Sequence, residues 1–297
     1  MNQTEGLRSE PLRAALRDAL GGRTAVLEDF FARFGGGPDA RPNFKLAAAF
    51  GDEMAALDDG RAAARLLAHL SADDAAPDTT QVFSPMAAAH GWVGRLRAGH
   101  DVEAAWAALY ELAADERAPV RASTLAALRA FALVRRGGAE LVTRAAEWLD
   151  AEDAEGRYSA AAVVLEIFAD RQTLATAKLE PLLEYLSRVI AEASDAPRSA
   201  SRSEGRRRLL VALPRTLTVL AAGGAEAVVT WLEAECTGTK QPEVRAALSF
   251  AIGRIQLGSA LVGNRVRAAL QGSAKPPRDP TRRRPGVGRG KATRETK

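Results

Sequence analysis

The feature that most constrains this chain is that it repeats itself. The stretch "ADERAPVRASTLAALR" (Ala114–Arg129) returns in part as "QPEVRAALSFAIGRI" (Gln241–Ile255). Val120, Arg121 and Ala122 match Val244, Arg245 and Ala246. Thr124, Ala127, Leu128 and Phe131 then match Leu248, Ala251, Ile252 and Ile255. Offsets of 0, 4, 7, 8 and 11 trace one face of a helix, and Pro with an acid before each copy is a helix-start signal. Two further copies carry "EGR". "AEGRYSAAAVVLEIF" has Arg157 at the position of Arg121, with Ala160, Val163, Val164 and Ile167 apolar. "SEGRRRLLVALPRTL" has Arg206 there, followed by Leu209, Ala212 and Leu213. The four arginines are 36, 49 and 39 residues apart. A longer period relates "GGAELVTRAAEWLDAE" from Gly137 to "GGAEAVVTWLEAE" from Gly223, and Arg121 to Arg206 is 85 residues, Arg157 to Arg245 88. A helix pair of about 40 residues, duplicated in twos, accounts for both periods and predicts a helical solenoid.

The motifs "D-x-x-x-P-V-R-x-x-x-x-x-A-L" at Asp115–Leu128 and "P-E-V-R-A-A-L-x-x-A-I" at Pro242–Ile252 resemble HEAT repeats, clearly over 115–270 and faintly before. The resemblance implies an all-α fold, a right-handed α-α superhelix. It also implies stacked polar ladders in which Asp115 accompanies Arg121 and Asp153 accompanies Arg157. Arg206 and Arg245 follow, although Glu204 and Glu243 stand there in place of the family's Asp.

Composition agrees with helices. Ala and Leu are abundant, aromatics make up 5% of the chain, and Ala loses no side-chain entropy in a helix. No strand pattern stands out. Before the repeats, helices are expected at Pro11–Leu20, Thr24–Phe34, Phe44–Leu57 and Arg61–Leu70. Ser84-Pro85 reads as an N-cap followed by Pro at the first helical position. Asp101 reads as the cap of a helix with Val102, Trp106, Leu109 and Ala113 inward, and Leu179, Leu182, Leu186, Val189 and Ile190 line a later amphipathic helix. Turn residues cluster at 34–42, 71–81 and 194–205.

The net charge of +4 divides unevenly. Residues 274–297 hold nine Lys/Arg and two acids, a net of +7, whereas the remaining body is net −3. This tail, "AKPPRDPTRRRPGVGRGKATRETK", has no periodicity and almost no large apolar residue, so it is expected to be disordered. The expected organisation is a solenoid over 1–273 and a basic tail over 274–297. One cysteine, Cys236, allows no internal disulfide and fits a reducing compartment. With no signal-like N-terminus and no long apolar run, the expected location is cytoplasmic, with no membrane partner.

Chemistry-bearing motifs are sparse. His69, His90 and His100 lack ligand spacing, so no metal is expected. "PGVGRGKAT" departs from a phosphate loop, with Pro285 and Ala292 where Gly and Ser/Thr belong. Cys236 follows an apolar face and reads as core. Trp92, Trp106, Trp148 and Trp231 read as packing residues rather than base-stacking platforms. No catalytic residue and no cofactor is expected. The one local positive excess in the body is "RSASRSEGRRR", where Arg198, Arg202, Arg206, Arg207 and Arg208, with Arg282, Arg283 and Arg284 of the tail, are the candidate nucleic-acid contacts.

Three functions follow. The repeats imply a non-catalytic scaffold that binds a protein partner on its curved surface, similar to bacterial HEAT-repeat proteins of this length. The alternative is a nucleic-acid-binding protein resembling, at a distance, the HEAT-like DNA alkylation-repair glycosylases. Their basic cleft with Trp and Asp/Glu has no residue-by-residue match here. A helper of cofactor attachment, like the bilin-lyase HEAT-like proteins, rests on fold analogy alone. A positive concave face would favour nucleic acid, a mixed or apolar one a protein.

Overall fold

The computed structural model describes residues 3–36, 42–58, 60–222, 226–254 and 260–272. Among them are fifteen α-helices and two short 3-10 turns, with no strand. The helices are α1 (Gln3–Leu20), α2 (Thr24–Phe34), α3 (Phe44–Ala55), α4 (Gly60–Ser71), α5 (Phe83–Ala98), α6 (Val102–Ala114), α7 (Ala118–Ala132) and α8 (Gly137–Trp148). They continue as α9 (Ala154–Phe168), the single turn α10 (Arg171–Leu174), α11 (Leu179–Asp195), α12 (Glu204–Ala221), α13 (Glu226–Gly238), α14 (Pro242–Arg254) and α15 (Ala260–Gly272).

These helices form two layers. In the first, α3, α5, α7, α9, α12 and α14 each pack on the next. The second holds α4, α6, α8, α11, α13 and α15, which back onto the first through contacts such as α4 on α5, α6 on α7 and α14 on α15. The sequence pattern explains which helix goes where. In α4 the buried residues are Ala63, Leu66, Leu67 and Leu70, one stripe at helical spacing, so the other face stays in solvent. Helices α5 and α9 are apolar almost all round and bury 13 of 16 and 11 of 15 residues, so neighbours must cover them on every side.

Small residues set how closely the first layer packs. A Cβ on Gly94 of α5 would lie 2.1 Å from the Gly51 carbonyl oxygen of α3, and one on Gly51 would lie 2.6 Å from the His90 carbonyl oxygen. At α9–α12, a Cβ on Gly205 would lie 2.6 Å from the Glu155 carbonyl oxygen. At these crossings the helix backbones are in direct contact.

Several helix starts differ from the sequence expectation. Helix α1 begins before Pro11 and runs through it, since the ring's fixed φ is helical and only one amide is lost. Helix α5 does not start at a Ser84 cap. A 3-10 turn at Thr80–Val82 feeds straight into Phe83, leaving Ser84 and Pro85 buried within the first turn. Asp101 does sit at the N-cap of α6, at φ 51°, but its side chain makes no capping bond. It pairs instead with Arg95.

Candidate functional site

The repeated arginines hold the repeats together. Arg121, Arg157 and Arg245 stand in the first turns of α7, α9 and α14, and each donates to the backbone carbonyl six residues before it: Asp115, Ala151 and Thr239. Those carbonyls lie one to three residues beyond the preceding helices, where intrahelical donors have run out. Arg206 does the same across a longer connection, donating from Nε and Nη2 to the Ala193 carbonyl at 3.3 and 3.0 Å. The aspartates are used otherwise. Asp115 grips Arg117 at 2.6 Å, and Asp153 caps α9 by accepting from the amides of Glu155 and Gly156. Ion pairs that reach the next helix are Arg157–Glu192 at 3.2 Å and Arg206–Glu243 at 2.7 Å.

This geometry breaks up the arginine cluster seen in the sequence. Arg206 is 3% exposed and fully engaged, so it faces no ligand. Arg207 is exposed and paired with Glu204. Arg208 is half-buried between Glu204 and the Ser159 hydroxyl. Arg202 is exposed at the end of the 3-10 turn Arg198–Arg202. Arg282, Arg283, Arg284 and the side chain of Arg198 lie outside the described residues. Arg121 stands near Arg208, and burial first, then that neighbour, lower its pKa.

A groove of about 1240 Å³ lies elsewhere, between α4 and α6. These two helices run side by side in the same direction: Gly60 lies against Asp101 at their starts, and Arg117 reaches the end of α4 from just beyond the end of α6. The walls are alanines: Ala64, Ala68 and Ala72 on one side, Ala104, Ala107 and Ala108 on the other. Trp92 of α5 adds to the lining and donates from Nε1 to the Ser71 hydroxyl at 3.0 Å. Alanines on both facing surfaces leave open a volume that longer side chains would fill.

Charge is arranged along this groove. Seven acids and three arginines line it, a net of −4. Arg61 and Arg65 belong to the N-terminal half of α4. Asp73, Asp74, Glu111, Glu116 and Asp153 gather where α4 and α6 end, and among the described residues none of these five is in an ion pair. The negative ends of two parallel helices add to their field. One guanidinium already sits at this end: Arg117 donates from Nη1 to the carbonyls of Asp73 at 2.7 Å and Ala75 at 3.0 Å while its other nitrogens hold Asp115. The sequence carries a signal for this groove that is not a reactive motif. Ala68, Ala104 and Ala107 are exposed, on helix faces where polar residues are the rule.

A smaller cavity, about 420 Å³, lies where α7, α9, α12 and α14 end, among Arg129, Arg215, Arg254, Glu166 and Asp170. Phe250 is 53% exposed there, with the Arg254 guanidinium 4.3 Å from its ring centre. Trp92, Trp106 and Trp148 are buried, and Trp231 is half-buried and donates to the Ser187 hydroxyl. Cys236 is buried, which pushes its thiol pKa up to about 12. Among the described residues no three His, Cys, Asp or Glu side chains are grouped to hold a metal ion. Within the same residues no helix is long and apolar enough to cross a membrane. No protein-family model, no curated protein and no solved structure matches the chain.

Proposed function

We propose that this chain is a non-catalytic scaffold of HEAT-like helix pairs that holds a protein partner in the groove between α4 and α6. The segment it takes carries arginine flanked by small side chains. The observation that carries this reading is the seat of Arg117, where the carbonyls of Asp73 and Ala75, in the connection that follows α4, and the Asp115 carboxylate together hold a guanidinium. Five further acids without ion pairs stand around that seat, and Asp74, Glu111 and Glu116 among them are exposed to a second cation of the same kind. The alanine walls accept a backbone at close range and exclude bulky side chains by shape. The lining offers recognition groups and no nucleophile–base pair.

The test is fluorescence anisotropy with a labelled alternating Ala–Arg peptide and the chain ending at Ser273. Binding should weaken with salt, because the acids are exposed. Ala107→Trp, which fills the groove, and the pair Asp74→Lys and Glu111→Lys should each weaken it by about tenfold or more. Binding that ignores all three substitutions refutes the reading.

A second reading, nucleic-acid binding, draws on the arginines Arg129, Arg215 and Arg254 around the smaller cavity. It calls for salt-dependent binding of duplex or single-stranded DNA to the chain ending at Ser273, lost with Arg215→Glu and Arg254→Glu.

A further inference from the structure

We infer that in the full chain the α4–α6 groove is occupied by the chain's own basic C-terminal segment, residues 282–294, which a partner must displace. This rests on the reading that the groove receives arginine-bearing segments.

Three observations meet. The first is charge: the groove lining is net −4 and residues 274–297 are net +7. Acids concentrated between two helix C-termini attract such a segment over about a Debye length, roughly 8 Å at physiological salt. The second is size. Between Arg284 and Arg294 the chain reads "PGVGRGKAT", small side chains alternating with cations, which is what alanine walls with an acidic end admit. The third is reach. Helix α15 ends at Gly272, and the second layer leads back from it through α13, α11 and α8 to α6. Four steps at an interaxial distance of 8–10 Å span about 40 Å. Extended chain at about 3.3 Å per residue covers more than that between Gly272 and Arg289. Arg289 and Lys291 therefore reach the acidic end within one molecule. Tethering over such a length sets an effective concentration of about 1 mM, so even weak docking keeps the groove filled.

The test uses the full chain with Ala107→Cys in the groove wall and Gly288→Cys in the tail, under mild oxidation with copper phenanthroline. Cys236 stays out of the reaction because it is buried. The expected product is an internal disulfide in a monomer, abolished by high salt or by Asp74→Lys with Glu111→Lys. The chain ending at Ser273 should also bind the Ala–Arg peptide about tenfold more tightly than the full chain. Linked dimers in place of the internal disulfide overturn docking within one chain. Absence of any link, with peptide affinity equal in the two chains, overturns the inference and leaves the proposed function standing. If neither chain binds the peptide and no link forms, both fall.

Discussion

Gly94→Ala adds one methyl group where α5 crosses α3. That methyl would lie 2.1 Å from the Gly51 carbonyl oxygen, 3.0 Å from its carbon and 3.3 Å from the Ala55 nitrogen. All three atoms are backbone, so no side chain can swing aside, and α3 and α5 must part by about 1 Å. A gap of that size forfeits a quarter to a half of each dispersion well along the interface, which includes Ala47, Phe50 and Met54 of α3 and Ala87 of α5, all fully buried. Overpacking of this kind costs about 1–3 kcal/mol, and a backbone-to-backbone clash belongs at the upper end. Ala returns up to about 1 kcal/mol of helix propensity over Gly. The net is a loss of about 2 kcal/mol, or a Tm lower by about 4–8 °C for a chain of this size. The control is Gly253→Ala in α14, where a Cβ meets nothing within 4 Å. There the same substitution should stabilise by about 0.5 kcal/mol. Thermal unfolding followed by circular dichroism reads both. A Tm for Gly94→Ala equal to or above that of Gly253→Ala would falsify the close crossing.

Three further outcomes are expected. Arg206→Met strands the Ala193 carbonyl and releases Glu243, so it should destabilise by about 3 kcal/mol, whereas Arg207→Ala should change stability by less than about 0.5 kcal/mol; equal effects in urea titrations would show that Arg206 is not the buried tie. His90 is held neutral, its pKa pushed down to about 4 by burial against partial opposition from Asp52. The unfolded chain takes up that proton near pH 6.5 and the folded chain only near 4, so stability falls as pH drops through that window, by about 3 kcal/mol from this group. His90→Gln should remove that share of the slope, and unchanged pH profiles would sink the assignment. Cys236, raised to about 12 by burial, should react with an aromatic disulfide reagent at pH 8 at least about a thousandfold more slowly in the native chain than in denaturant; fast native labelling would contradict its burial.

The arginines show where sequence reading stops. Arg121, Arg157, Arg206 and Arg245 were found by self-similarity, and their spacing predicted the helix pairs. What each one binds was not legible, because the acceptor is a backbone carbonyl, which carries no residue identity. Arg206 and Arg207 are adjacent and chemically identical in the sequence. A turn of 100° per residue puts one against the Ala193 carbonyl and the other in solvent, so a run of three cations becomes one buried tie, one surface charge and, in Arg208, one half-buried charge.

Periodicity alone determined that the chain is helical, that its helices come in pairs and which stripe of each is apolar, because those are properties of a few neighbouring turns. The groove was decided only in three dimensions. It depends on α4 and α6 lying side by side in one direction, on alanines about 40 residues apart facing each other, and on acids from four separate connections and helix ends converging at one mouth. None of these is a local property. Each depends on how closely the glycine crossings let the first layer pack, since that layer sets where the helices behind it stand.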